Sequence, residues 1–358
     1  MSKVQFKSEQ KTEREFVNTL RKNVSDYFKT NHISTKANAA MVFKTVVMVL
    51  VYILPFVLLL TVPMPALAAL GLCIVMGIGI AGVGMSVMHD ACHGAYSRKH
   101  WVNDILGGSL YLLGSNVLNW KIQHNVLHHT YTNIAGLDED IAAKGPIRLA
   151  METPVKKHHK FQFIFAFVFY GMMTIAKLIN DFLNLFKYNK KGLVREQHGD
   201  LRSEFIKMAL RKLVYLAVIF GLPLWLTDFK WYQVLVGFIV MHWVASMILS
   251  FVFQLAHVVE GAEQPFEESE NYSNWHVHQL RTTSDFARHN KLLGWYVGGL
   301  NFQIEHHLFP NICHIHYNKI APIVQKTALE YGFPYNLKPS FGSAFSSHIK
   351  MLKELGVH

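Results

Sequence analysis

The chain of 358 residues is 51% hydrophobic and only 16% charged, with a formal charge of +11 and a positive mean hydropathy. That balance excludes an ordinary soluble enzyme and reads as a membrane protein with a substantial polar portion. The basic excess fits contact with anionic lipid headgroups and is poorly explained by nucleic acid. Three scattered cysteines, Cys73, Cys92 and Cys313, form no CxxC and give no disulfide scaffold or thiolate metal site.

Residues 1–40 are polar and read as an arm without a cleavable signal. Within it Phe16, Leu20, Val24, Tyr27 and Phe28 recur at helical spacing among charges, which predicts an amphipathic helix on the membrane surface. From Thr45 to Met88 no Asp, Glu, Lys or Arg occurs. A bilayer core takes roughly 20 apolar residues per helix, so this stretch holds two spans, about 41–62 and 66–88. The break is "VPMP", where Pro63 and Pro65 disfavour helix continuation. Residues 161–186 are apolar but carry Lys156 and Lys157 before them and Lys187, Lys190, Lys191 and Arg195 after them. Basic residues on both flanks imply that neither end crosses, so this segment is expected as an interfacial helix. Two more spans, about 209–226 and 231–256, are separated only by "TDFK" and form a second hairpin.

Four spans place both termini on one side. The two short far-side connections hold a single basic residue, Lys230, and the positive-inside rule then puts the termini and the long central loop in the cytoplasm. The expected fold is an all-α integral membrane protein of four transmembrane helices in two hairpins, with interfacial helices and a cytoplasmic helical cap. Its arm is 1–40 and its membrane domain 41–358.

The 21 histidines are clustered. "HDACH" spaces His89 and His93 by four, "HNVLHH" contributes His124, His128 and His129, and "QIEHH" contributes His306 and His307. Helical positions three or four apart face one way, so each cluster presents ring nitrogens toward one point. The topology, argued from apolarity and charge alone, delivers all three clusters to one membrane face. Seven imidazoles exceed the ligands of one zinc site, and two metals with open positions fit oxygen activation at non-haem iron. Outside the clusters, His32, His100, His158, His159, His198, His289, His348 and His358 are read as structural, and His242 as a histidine bonding across helices. Asp90, Asp138, Asp140, Glu260, Asp285 and Glu305 lie near enough in sequence to anchor imidazoles or to be solvated loop charges. Gln303 can ligate through its amide oxygen, hold a metal-bound water, or simply hydrogen-bond a neighbour.

The three clusters resemble the histidine boxes of the integral-membrane fatty acid desaturases and related hydroxylases, HxxxH, HxxxHH and [HQ]xxHH. The resemblance runs from about Met41 to Pro310. "NWKIQHNVLHHTYTN", "FQLAHVVEG" and "WHVHQLRTTSDF" are similar to the front-end (delta-6-like) branch and its bacterial relatives, where a glutamine-headed third box is usual. The resemblance implies a further ligand near the end of the fourth span, where His257 lies, and leaves His278 a weaker candidate. It implies two non-haem irons, O2 as co-substrate, and a fatty acyl substrate linked to coenzyme A or lipid, into which a cis double bond is inserted. Many front-end members carry a fused cytochrome b5 domain marked HPGG, absent here, so a separate ferredoxin or free cytochrome b5 with its reductase is the expected electron donor. A hydroxylase on the same scaffold is the nearest alternative. A metal transporter would place ionisable residues along a mid-membrane path, and Thr45–Met88 has none.

Overall fold

The structure is a computed structural model and describes residues 4–6, 10–142, 145–266 and 274–357. The described residues are mainly helical, with a short parallel ladder in which β1 (Asp285–Phe286) pairs with β2 (Leu337–Lys338) and an isolated bridge between Ala135 and Phe266. Among the described residues three helices are long and apolar enough to cross a membrane, α2 (Ala39–Thr61), α3 (Ala66–Cys92) and α9 (Trp231–His257), with one bent helix pair over 159–190 that would make a fourth if it crosses. Asn38 caps α2 by accepting from the Met41 N–H, and Pro65 opens α3 where its missing N–H costs nothing. α3 lies between α2 and α9, with Met76, Ile80, Val83 and Val87 packed on Tyr52, Phe238, Met241 and Ala245. The outward faces carry exposed Val42, Phe43, Val46, Leu50 and Leu54 on α2, and Trp231 and Tyr232 at the far end of α9. These are the side chains that hydrocarbon and its interface select.

After α3 the chain forms a short α4 (His100–Gly107), then α5, in which Val117–Trp120, the π-helical Lys121–His128 and His129–Tyr131 follow without a break. The segment expected as one interfacial helix over 161–186 is instead two, α6 (Gln162–Tyr170) and α7 (Met173–Lys190), bent by 82°. Gly171 sits at the bend against the Trp243 indole, where any Cβ would collide. Hydrophobicity is continuous through the bend, so composition alone gave no sign of it.

The helix expected over 209–226 starts earlier. α8 runs Leu201–Leu216, passes through a π-helical turn at Ala217–Gly221 and ends with Leu222–Leu226. Its first half carries Lys212, which is buried with Nζ 2.8 Å from Asp181 of α7 and also donates to the Gly114 and Lys177 carbonyls. The charge that shortens the apolar run is therefore neutralised inside the protein.

The cap is built from α1 (Lys11–Thr30), α10 (Trp275–Thr282), α11 (Lys291–Tyr296), α12 (Gln303–Leu308), α13 (Tyr317–Glu330) and α14 (Phe341–Glu354). The arm does form the expected amphipathic helix, but its apolar face does not lie on lipid. Phe16, Leu20, Val24 and Phe28 are buried against Val277, Leu280, Ile304, Leu308, Ile320 and Val324. An apolar stripe is satisfied equally by lipid or by a protein groove, and α10, α12 and α13 provide the groove.

Candidate metal centre

Four elements converge where the spans meet the cap. The end of α3 brings His89 and His93, α5 brings His124, His128 and His129, α9 ends on His257, and α12 brings Gln303, His306 and His307. π-Helical turns occur at Val83–Met88, just before the first cluster, and at Lys121–His128, within the second. Such turns rotate the following side chains relative to an α-helix and are concentrated at functional sites.

The sequence clusters do not each form one site. They interleave into two groups, so the expectation that each presents its nitrogens toward one point is corrected for the second and third. His89, His93, His124 and His306 each place a side-chain nitrogen within 4.8 Å of the others, and His128, His257 and His307 form a second such group. His129 joins His306 and His307, and so stands between the groups. Thus α12 serves both groups with the consecutive residues His306 and His307, which diverge on a helix, and α5 with His124 and His128, set apart by its π-helical stretch.

The residues fit metal ions. The Nε2 atoms of His89 and His124 are 3.1 Å apart, and those of His129 and His306 are 3.0 Å apart. Imidazole nitrogens bound at about 2.1 Å to one ion lie roughly 3.0 to 3.4 Å from their neighbours in the coordination shell. His93 Nε2, His307 Nε2 and both ring nitrogens of His257 are buried with no hydrogen-bond partner among the described residues. Burial, reinforced by neighbouring histidines, holds His124, His129, His306 and His307 well below the usual imidazole pKa. All four are therefore neutral, the form that ligates metal.

Surrounding groups fix the rings. His128 Nδ1 lies 3.0 Å from Asp138 Oδ2, itself held by the Asn133 N–H at 2.8 Å, and Asp140 is 3.5 Å from the same nitrogen. His307 Nδ1 lies 2.8 Å from Gln279 Oε1, which also accepts from Thr132. Engaging Nδ1 in this way turns Nε2 toward the centre. Of the other acids singled out in the sequence, Glu260 pairs with Lys350 near the surface. Asp285 and Glu305 are fully buried together beneath the Tyr335 hydroxyl, at 2.7 and 2.9 Å. Burial pushes both carboxyls up, Glu305 further because of Asp285, so the pair keeps a proton.

Gln303 is buried next to the His257 ring, with its Nε2 unpartnered among the described residues. His278 is not brought in: its Nε2 lies 2.9 Å from the Thr132 carbonyl and it belongs to neither group. His242 bonds across helices as expected, to Thr174 at 2.9 Å and Tyr215 at 2.6 Å. His358 lies outside the described residues. Sequence reasoning missed His314. Its Nδ1 lies 2.9 Å from Asp90 and its Nε2 2.8 Å from Lys44 Nζ, a buried chain joining the first cluster, α2 and the segment after the third cluster. Asp90, Cys313 and His314 also cluster, but Lys44 occupies the lone pair that a metal would need. Only the spacing "HIH" after the third cluster hinted at it.

The fatty acid desaturase family model matches residues 64–339. The sn-1 linoleoyl-lipid 6-desaturase of Synechocystis is 34% identical over 96% of this chain and 96% of its own length. The corresponding enzyme of Arthrospira platensis is 32% identical over 96% of this chain and 93% of its own. An acyl-lipid (8-3)-desaturase of Physcomitrium patens is 33% identical over 96% of this chain and 72% of its own. The chain belongs to the fatty acid desaturase family. It is an oxidoreductase of the front-end branch, held in a membrane, and its histidines cluster in groups that could hold metal ions.

Proposed function

We propose that this desaturase inserts a cis double bond near the carboxyl end of a lipid-linked acyl chain, using O2 and two irons. The observation that carries the reading is the pair of interleaved groups of largely buried imidazoles at the mouth of an apolar helix bundle. His89, His93, His124 and His306 would hold one ion and His128, His257 and His307 the other, with His129 between them and Gln303 beside His257. Bound irons would supply the oxidising power that side-chain acids and bases lack toward an aliphatic C–H bond. The balance is R–CH2–CH2–R′ plus O2, two electrons and two protons, giving R–CH=CH–R′ and two waters. The chain's own residues do the rest. Asp138 and Gln279 orient His128 and His307, and the apolar faces of α3 and α9 exclude water and align the acyl chain.

The lipid carrier and the position near the carboxyl end rest on the activities named for the Synechocystis and Arthrospira relatives. Electrons come from a separate carrier, a ferredoxin or free cytochrome b5 with its reductase. We take α8 as a fourth span beside α2, α3 and α9; with an even number of spans, the basic residues flanking them support a cytoplasmic side for the histidines and both termini.

Expression in a host of defined lipid composition, followed by localisation of double bonds in each lipid class, tests this reading. A new cis double bond in lipid-bound chains, together with about two irons per purified chain, is expected. Hydroxylated chains without new unsaturation, or full activity with a single zinc, would overturn it.

A further inference from the structure

Helix α11 has no buried residue, although it lies directly before the third cluster. Leu292 is 76% exposed and Trp295 is 42% exposed. Its position explains this. Tyr296 donates its hydroxyl to the Ile78 carbonyl of α3 at 2.8 Å. Ile78 precedes His89 by eleven residues, about 16 Å along a helix axis, so α11 dips to the level of the spans. Leu293 and Tyr296 pack against the buried cluster that holds Ala81 and Met85 of α3 and Val252 and Leu255 of α9, while Lys44 of α2 reaches the Trp295 ring at 5.6 Å. Leu292 and Trp295 thus lie exposed beside α2, whose own exposed Val42, Phe43 and Val46 are side chains that bilayer hydrocarbon selects. Exposed His289 and Lys291 stand at its head, at the height of lipid headgroups.

Behind α11, Phe253 of α9 stands between this helix and the first histidine group. The Phe253 ring lies 6.2 Å from that of His124. Gly298 and Gly299, with φ of +68° and +66°, form a sharp turn between α11 and the third cluster. Asn301 lies just beyond, fully buried, with both its amide oxygen and its amide nitrogen unpartnered among the described residues. Its Oδ1 is 3.2 Å from where a Cβ on Gly294 of α11 would stand, so the amide is directly under the helix. An unpaired buried amide is costly unless a ligand completes it. The group that matches its N–H, at the head of an otherwise apolar chain, is an ester carbonyl.

We propose that α11 is the lateral gate through which the acyl chain of a membrane lipid reaches the metal centre, and that Asn301 holds its ester carbonyl. The proposal rests on the acyl-lipid desaturase reading and names the route and the contact which that reading lacks. Holding the ester next to the third cluster fixes which methylenes face the metals, so Asn301 determines regiochemistry by measuring from the carboxyl end.

The test has two arms, both on full-length, iron-loaded protein in nanodiscs. In the first, Leu292→Cys in a Cys73→Ala background carries a fluorescent probe. Quenching by lipids spin-labelled high on the acyl chain, with little quenching by aqueous iodide, is expected. The reverse pattern places α11 in water, as a docking face for a soluble partner, and overturns the gate. In the second arm, Asn301→Leu should raise the half-saturating fraction of lipid substrate about tenfold and mix the double-bond positions, with iron content and melting midpoint held. Leu292→Glu should slow lipid-linked substrate more than acyl-CoA supplied from solution. Unchanged affinity with a single product position excludes the Asn301 contact, and equal slowing of both substrates excludes lateral access. If the wild type makes no double bond, the desaturase reading fails while the quenching arm still decides where α11 lies.

Discussion

His128 illustrates how one imidazole is committed to a single task. Its Nδ1 is engaged by Asp138, and its ring lies 4.7 Å from that of His257 and 4.9 Å from that of His307. His128→Ala is expected to lose iron and activity together. Asp138→Asn keeps an acceptor but loses the charge, and should weaken metal retention about 10- to 100-fold under chelator challenge, as carboxylate partners of ligating histidines commonly do. Wild-type retention by Asp138→Asn would remove Asp138 from this role. The control must be chosen from the structure. His348, read from the sequence as structural, is fully buried, with Nδ1 2.8 Å from the Val258 carbonyl and Nε2 3.0 Å from the Tyr170 hydroxyl. His348→Ala should therefore retain iron but lose about 1 to 3 kcal/mol of stability, read as a lower melting midpoint. Exposed His100 is the neutral control. All seven clustered histidines were legible from spacing, and His257 from the resemblance. Their partition between two groups was not, because spacing along a chain cannot tell which face of α5 or α12 each ring takes. His314 was illegible for a related reason: its partners Asp90 and Lys44 are more than 200 residues away.

At the scale of elements, runs without charge located α2, α3 and α9 within a few residues. Where the run was interrupted or bent, the reading weakened. α8 begins among charges whose pairing, Lys212 with Asp181, is tertiary. α6 and α7 look like one helix until Gly171 meets Trp243. The 82° bend has a topological consequence. A helix pair folded that sharply is either a broken span or a pair that returns along the membrane, and basic residues on both flanks favour the return, with both flanks in one compartment. Single cysteines introduced near Lys156 and near Lys191 should react with an impermeant reagent from the same side, the cytoplasmic one. Reaction from opposite sides would make α6 and α7 a broken span, and the parity that puts both termini together would be lost.

Over the whole molecule, apolar helices and basic residues are segregated, and this separation connects fold to turnover. Each double bond formed requires two electrons, and the largely buried imidazoles of the centre offer no redox group of their own to supply them. On the proposed reading a separate carrier delivers them, and the +11 excess it would meet lies in the arm over 1–40 and the central segment over 98–212, the residues after α9 adding none of it. Small electron carriers of acidic surface would be drawn to such a face, since summed charge raises encounter rates well above those of neutral partners. The attraction acts between exposed charges and is screened beyond about 8 Å at physiological ionic strength. Raising salt should therefore lower the second-order rate at which a reduced acidic donor delivers electrons, and leave the rate at saturating donor nearly unchanged. Stopped-flow oxidation of the donor, with iron-loaded enzyme and substrate in nanodiscs, separates the two. A salt-independent second-order rate would show that basic charge does not guide the donor. A salt effect confined to the saturating rate would instead place the sensitivity inside the cap, where the Asp90–His314–Lys44 chain ties α2 to the first cluster.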